Sequence, residues 1–140
     1  MMATFNIATF HCARMADATR RTALLNLFRK LPVQIICVQE TYSRPENEAQ
    51  WAREWAPDVV ILNSTTNMAN AQIGVAIFIN DSSLQVSAVK RGLNGRIISM
   101  DVSTSLHHSP NKHFYPSRLI AYKNSFFDSL HLHITSKFQS

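Results

Sequence analysis

The apolar run VQIICVQ at 33–39 ends in Gln39-Glu40-Thr41. A buried strand that delivers a carboxylate at its end sets that group on rigid backbone with solvent above it. In open α/β sheets, ligands bind in the crevice beyond the carboxyl ends of the strands. A hard divalent cation such as Mg²⁺ takes oxygen ligands from one or two carboxylates and fills its shell with water and substrate phosphate. Asn6 lies in ATFNIATF, residues 3–10, the strand expected beside Glu40. Its amide would position Glu40, touch the cation through water or hold a phosphate oxygen. The plainer alternative is a first loop residue at 40 and an asparagine that satisfies a backbone group. Arg96 follows a turn, where it would meet a phosphate or serve as an ordinary surface arginine. His107, His108, His113, His131 and His133 match no standard zinc spacing and are assigned to the surface. His131 and His133, two apart, suit one face of a strand but not of a helix.

These groups need elements to hold them. Phe5, Ile7 and Thr9 alternate with Thr4, Asn6 and Ala8, a strand period. Asp17 suits an N-cap for ATRRTALLNLFRKL, whose Leu24, Leu25, Leu27, Phe28 and Leu31 fit one helical face. Pro32 stops that helix, and VQIICVQ follows as a strand. Strand, helix, strand makes a βαβ unit with parallel strands. ENEAQWAREW is a short helix with Trp51 and Trp55 on one face as packing residues. DVVIL at 58–62 is a strand. QIGVAIFIN, LQVSAVKR and RIISMDV then follow as three strands, divided by turn chemistry, and suggest an antiparallel meander. From Ser117, helical spacing returns through Ile120, Phe126, Phe127, Leu130 and Ile134.

With 140 residues, 46% hydrophobic and 16% charged, the composition is that of one small globular domain rather than a disordered chain. No apolar run approaches the ~20 residues of a membrane span. No secretory pattern opens the chain, and Cys12 and Cys37 make no disulfide framework, so an intracellular setting, nuclear or cytoplasmic, is expected. Cys37 lies inside the apolar run and is expected in the core. The formal charge of +5 suits a polyanionic partner, although the basic residues are scattered in pairs.

TFNIATF, a helix, IICVQET, Trp51, GVAIFI and NGRIISMDV in that order resemble the endonuclease/exonuclease/phosphatase superfamily. The likeness is narrower to the endonuclease domains of LINE-type retrotransposons. It covers residues 3–102 and resumes at Tyr115-Pro116-Ser117, similar to the family's Tyr-Ala-Pro motif, and at RLIAYKNSFFDSL. The resemblance implies a DNase I-like α/β fold: a four-layer sandwich with mixed sheets and helices outside. It implies Mg²⁺ or Mn²⁺ at Asn6 and Glu40, Tyr115 near the scissile phosphate, and DNA as partner.

Three departures accompany it. Residues 102–115 are degenerate, with HHSPNKHF where the family has an apolar strand. No Gly-Asp-Phe-Asn motif follows, and no Ser-Asp-His motif. The family uses these groups to align the nucleophile, support the transition state and polarise the phosphate, each worth ~10²-fold or more. The expectation is a single domain at 1–140 that corresponds to the N-terminal half of the family fold, with helices on one face. Hydrolysis would be weak or absent, and a non-catalytic remnant that binds nucleic acid weakly is the alternative. Half a sandwich would expose apolar sheet surface at DVVIL, GVAIFI and IISMDV and so promote self-association.

Overall fold

A computed structural model describes residues 6–11, 15–66, 73–92, 95–104, 113–114, 117–124, 129–135 and 138–139. Strand β1 (Ile7–His11) leads into helix α1 (Ala18–Lys30) and strand β2 (Ile35–Gln39). The Asp17 carboxylate accepts from the Arg20 amide at 2.9 Å, the N-cap bond that its side chain favours. Arg29 and Lys30 occupy the last turn, where the helix dipole favours cations. β1 and β2 are parallel, as the βαβ order requires.

Next come a short 3-10 turn (Pro45–Asn47), α2 (Glu48–Trp55), β3 (Val60–Asn63) and β4 (Val75–Ile79). The first sheet has the order β1-β2-β4-β3. β5 (Leu84–Gly92), β6 (Ile97–Thr104), β8 (Ser117–Asn124) and β9 (Ser129–Thr135) form a second, antiparallel sheet in that order. β7 (His113–Phe114) pairs with β10 (Phe138–Gln139).

Alternation along the strands divides the core into two layers. Ile35, Cys37, Val75 and Ile77 from the first sheet meet Ile98, Met100, Val102 and Leu119 from the second. Ile36, Val38, Ala76 and Phe78 point the other way, against Leu25 and Phe28 of α1 and Trp51 and Trp55 of α2. The helices therefore cover one face of the first sheet and the second sheet covers the other. Cys37 sits in the core as expected, and burial pushes its thiol up to about 12. Buried Arg21 clamps the helices: Nε and Nη2 donate to Glu54 at 2.6 and 3.0 Å, and the guanidinium lies over Trp51. Arg29 stacks on Trp55 at 4.1 Å and donates to its carbonyl.

Three expectations are corrected. The helix expected from Ser117 to Ile134 is instead β8 and β9. Leu119 and Ala121 turn inward while Arg118 turns out to pair with Asp101 of β6, so the period of two prevails over the helical one. The expected meander is split between sheets. β4 joins the first and β5 the second, and the turn between them is fixed by Ser83 donating to Asp81 and by Asn80 donating to three carbonyls near the end of α1. The inward side chains of DVVIL, GVAIFI and IISMDV, expected to be exposed, are covered: Ile61, Ile77 and Met100 are buried between the sheets, while Val59 stays exposed. The outward positions of β6 and β8 include Ser99, Asp101 and Arg118, which suits a sheet with one wet face.

Candidate functional site

The strand register builds a row across the first sheet at its carboxyl end. His11 of β1 lies beside Gln39 of β2, Gln39 beside Val75 of β4, and Val75 beside Asn63 of β3. All four share the parity of the residues between the sheets, so this row forms the mouth of the sandwich. Glu40 follows directly. Strict alternation would turn its side chain to the helix-covered face. Its φ of +56°, a left-handed value uncommon outside glycine, re-aims it, and its carboxylate meets His11 Nε2. Tyr42 has φ +59°, so two such residues flank Thr41. The Glu40 side chain is 14% exposed and that of His11 44%, which places the carboxylate under the rim and the imidazole on it.

Buried hydroxyls hold the loop from below. Thr41 Oγ1 and Ser43 Oγ lie 2.8 Å apart, and Ser64 Oγ donates to Ser43 Oγ at 2.8 Å. Gly74 closes on this group at φ +134°, and a Cβ there would lie 2.2 Å from Thr41 Oγ1. Asn63 ties the second sheet to the mouth. Its Nδ2 donates to the Gly92 and Ile97 carbonyls at 2.9 and 2.7 Å, and its Oδ1 accepts from the Gly95 amide. These bonds tie β5 and β6 to the end of β3 at Gly92, Gly95 and Ile97, and Arg96 follows Gly95 in the chain. Arg91 Nε donates to the Leu62 carbonyl of β3.

The expected pairing of Asn6 with Glu40 is not what the register produces. Asn6 precedes β1, and its backbone clips the other end of the sheet: its amide donates to Gln34 Oε1 and its carbonyl accepts from Gln34 and Ile35. With His11 opposite Gln39, Asn6 lies about 17 Å down the strand from the mouth. Tyr115 falls outside the described residues. Glu40 lies at the mouth, and Arg96 follows Gly95, whose amide bonds Asn63 in the row of the mouth. His11 and the hydroxyl group were not anticipated. A signal for the latter was present, since β2 and β3 both end in an amide, a polar residue and a threonine: Gln39-Glu40-Thr41 and Asn63-Ser64-Thr65.

Gln39 Oε1 is buried and receives no hydrogen bond among the described residues. An orphaned buried acceptor costs about 1–3 kcal/mol, and a cation or water at the mouth would relieve it. The Glu40 carboxylate and the His11 imidazole meet directly at this strand end, and Gln39 lies beside His11 in the register; of these, the carboxylate is the ligand type that a hard divalent cation takes. No group of three or more His, Cys, Asp or Glu that could hold a metal ion is found among the described residues. No helix among the described residues is long and apolar enough to cross a membrane.

A search of curated proteins finds no match to the chain. The Endonuclease/Exonuclease/phosphatase family, whose members hydrolyse phosphodiester or phosphate bonds and generally use divalent metal ions, matches residues 3–119. That match spans most of the 140 residues and includes every strand that builds the mouth, so the chain belongs to the endonuclease/exonuclease/phosphatase family.

Proposed function

We propose that the mouth of the sandwich binds a nucleic-acid phosphodiester together with a divalent cation, Mg²⁺ or Mn²⁺, at Glu40, for phosphodiester hydrolysis. The observation that carries this is a carboxylate re-aimed by left-handed backbone into the mouth, where it meets His11. Bound there, the cation supplies Lewis-acid stabilisation of charge on the leaving oxygen. Glu40 holds it, Arg96 offsets charge on a phosphate oxygen, and the hydroxyl group keeps the loop from relaxing. Tyr115 is a further candidate for the phosphate, on the family's motif alone. Asn6, which the family resemblance assigns to the cation, lies about 17 Å down the strand from the mouth. Among family members the kinship proposed is with LINE-type retrotransposon endonucleases, on Gln39-Glu40-Thr41 and the Gly95-Arg96 turn, and hence DNA is the partner and the setting intracellular.

The alternative is a binder driven by charge alone. Its basic surface is smaller than the sequence suggests, however, because Arg21 is buried against Glu54 and Arg29 bonds Asp58. Retention of a short DNA duplex, measured with Mg²⁺ or with EDTA, separates the two. Mg²⁺ is expected to strengthen binding about tenfold, and Glu40→Gln to remove that gain. Binding that ignores both Mg²⁺ and the substitution leaves only the charge-driven binder.

A further inference from the structure

We propose that the chain pairs with a second copy of itself through strand β1, antiparallel about Thr9, so that the two first sheets join into one. This is independent of any cation at Glu40. β1 ends the first sheet, and no strand among the described residues pairs with its other side. The Asn6 carbonyl bonds toward β2. Main-chain groups alternate in direction along a strand, so those of Ala8 and Phe10 also turn to β2, and those of Ile7 and Thr9 turn outward. Open edges of this kind are normally blunted by charge, proline or a bulge. β5, an edge of the second sheet, has a bulge between Ser87 and Lys90 and a left-handed Ala88 at φ +53°. At β3, the other edge of the first sheet, the Leu62 carbonyl takes the Arg91 guanidinium. β1, Ile-Ala-Thr-Phe-His, pairs in unbroken register and has no proline, no lysine and no residue of fixed charge.

Both apolar layers run out at this edge. Ile7 is half-buried against the layer between the sheets, and Phe10 is half-buried in the helical layer, its ring 5.2 Å from that of Phe28. A strand added beside β1 extends both layers at once, because alternate positions face each of them. The sequence of β1 fits a copy of itself. With Thr9 opposite Thr9, outward main-chain groups meet outward groups, and the two threonines exchange two hydrogen bonds. Centring on Ala8 or Phe10 would instead oppose groups already turned to β2. About Thr9, Phe10 of each copy falls opposite Ala8 of the other on the helical face. These are non-hydrogen-bonded pairs, where side chains approach more closely, and a large ring there meets a methyl. The pairing is two-fold symmetric and closes after two copies.

Sedimentation velocity of the full chain at tens of micromolar tests this for wild type, Thr9→Lys and Gln85→Lys. Wild type is expected at twice the 15.9 kDa mass of the chain. Thr9 is exposed, so lysine is accommodated in the fold, but it sets like charges opposite each other at the seam. Dimerisation is expected to weaken at least about tenfold. Gln85→Lys, at an exposed position of β5, adds the same charge and is expected to leave the dimer intact. A monomeric wild type overturns the proposal and leaves the edge to a strand of another chain. A dimer that Thr9→Lys leaves unchanged, or that both lysines weaken equally, overturns the role of β1. Thr9→Cys in a Cys12→Ser background tests the register without relying on a loss. Opposed Cα atoms of a hydrogen-bonded pair lie about 5.5 Å apart, within reach of a disulfide, so mild oxidation is expected to give a covalent dimer with unchanged circular dichroism. A folded variant that does not cross-link overturns pairing about Thr9.

Discussion

At the residue scale the mouth depends on backbone that most residues resist. Glu40 and Tyr42 adopt left-handed φ at a cost of order 1–3 kcal/mol each, a conformation held by the buried hydroxyls of Thr41, Ser43 and Ser64. Gly74 is the tightest point of that support. Gly74→Ala would place a methyl 2.2 Å from Thr41 Oγ1 on backbone at φ +134°, so a loss of about 2–4 kcal/mol is expected in urea denaturation, with weakened cation binding. Gly92→Ala is the control. A Cβ there would meet Ile97 Cβ at 3.9 Å, ordinary contact without a positive φ, and under ~1 kcal/mol is expected. Equal losses for the two would remove the claim that the loop is braced at Gly74. Glu40 was legible in the sequence because a carboxylate ending an apolar run is a local signal. His11 was not, because register is a relation between strands. Asn6 and His11 both lie near the first strand, and only the pairing of His11 with Gln39 decides which reaches the mouth.

At the element scale, α1 and α2 are joined through Arg21 rather than through apolar contact alone. The residue is 4% exposed, so its guanidinium depends on the Glu54 carboxylate and on the Met15 and Ala16 carbonyls. The hydrogen bond from Arg21 holds the Glu54 carboxyl below the ordinary glutamate range, against the opposing effect of burial. A carboxylate with a lowered value stabilises the fold above its unfolded value, and that contribution fades as pH falls through the folded one. Glu54→Gln is therefore expected to cost about 1–2 kcal/mol at neutral pH, discounted for a side chain that is 31% exposed, and progressively less below pH 4.5. Urea midpoints for both proteins across that range check it, and a difference independent of pH would assign the loss to packing. The caps and stops of α1, Asp17 and Pro32, were readable because they act on adjacent residues. The stretch from Ser117 was misread because its apolar residues satisfy two periods, and the choice falls to β6. Only pairing along Ile98, Met100 and Val102 buries Leu119 and Ala121.

At the scale of the whole molecule, the first sheet is shared by two apolar layers that do not otherwise meet. Its strands send Ile35, Cys37 and Ile77 to one and Ile36, Val38 and Phe78 to the other. Such a sheet couples the layers, since it cannot lose one face and keep its strands in register. Both tryptophans, Trp51 and Trp55, lie in the helical layer, and Trp55 Nε1 donates to the Ile79 carbonyl of β4 at 3.0 Å. Their fluorescence therefore reports on one side of the sheet only. Met100 lies on the other side, fully buried between the sheets and outside the layer that holds the tryptophans. Met100→Ala leaves a cavity worth about 2–5 kcal/mol. If the layers unfold together, the substitution lowers the denaturation midpoint by the same amount in tryptophan fluorescence and in far-ultraviolet circular dichroism. A fluorescence midpoint that stays in place while the dichroism moves would mean that the helices and the first sheet form a unit without the second. In that case the mouth, which needs Asn63 bonded to the β5–β6 hairpin, would open before the helical layer does.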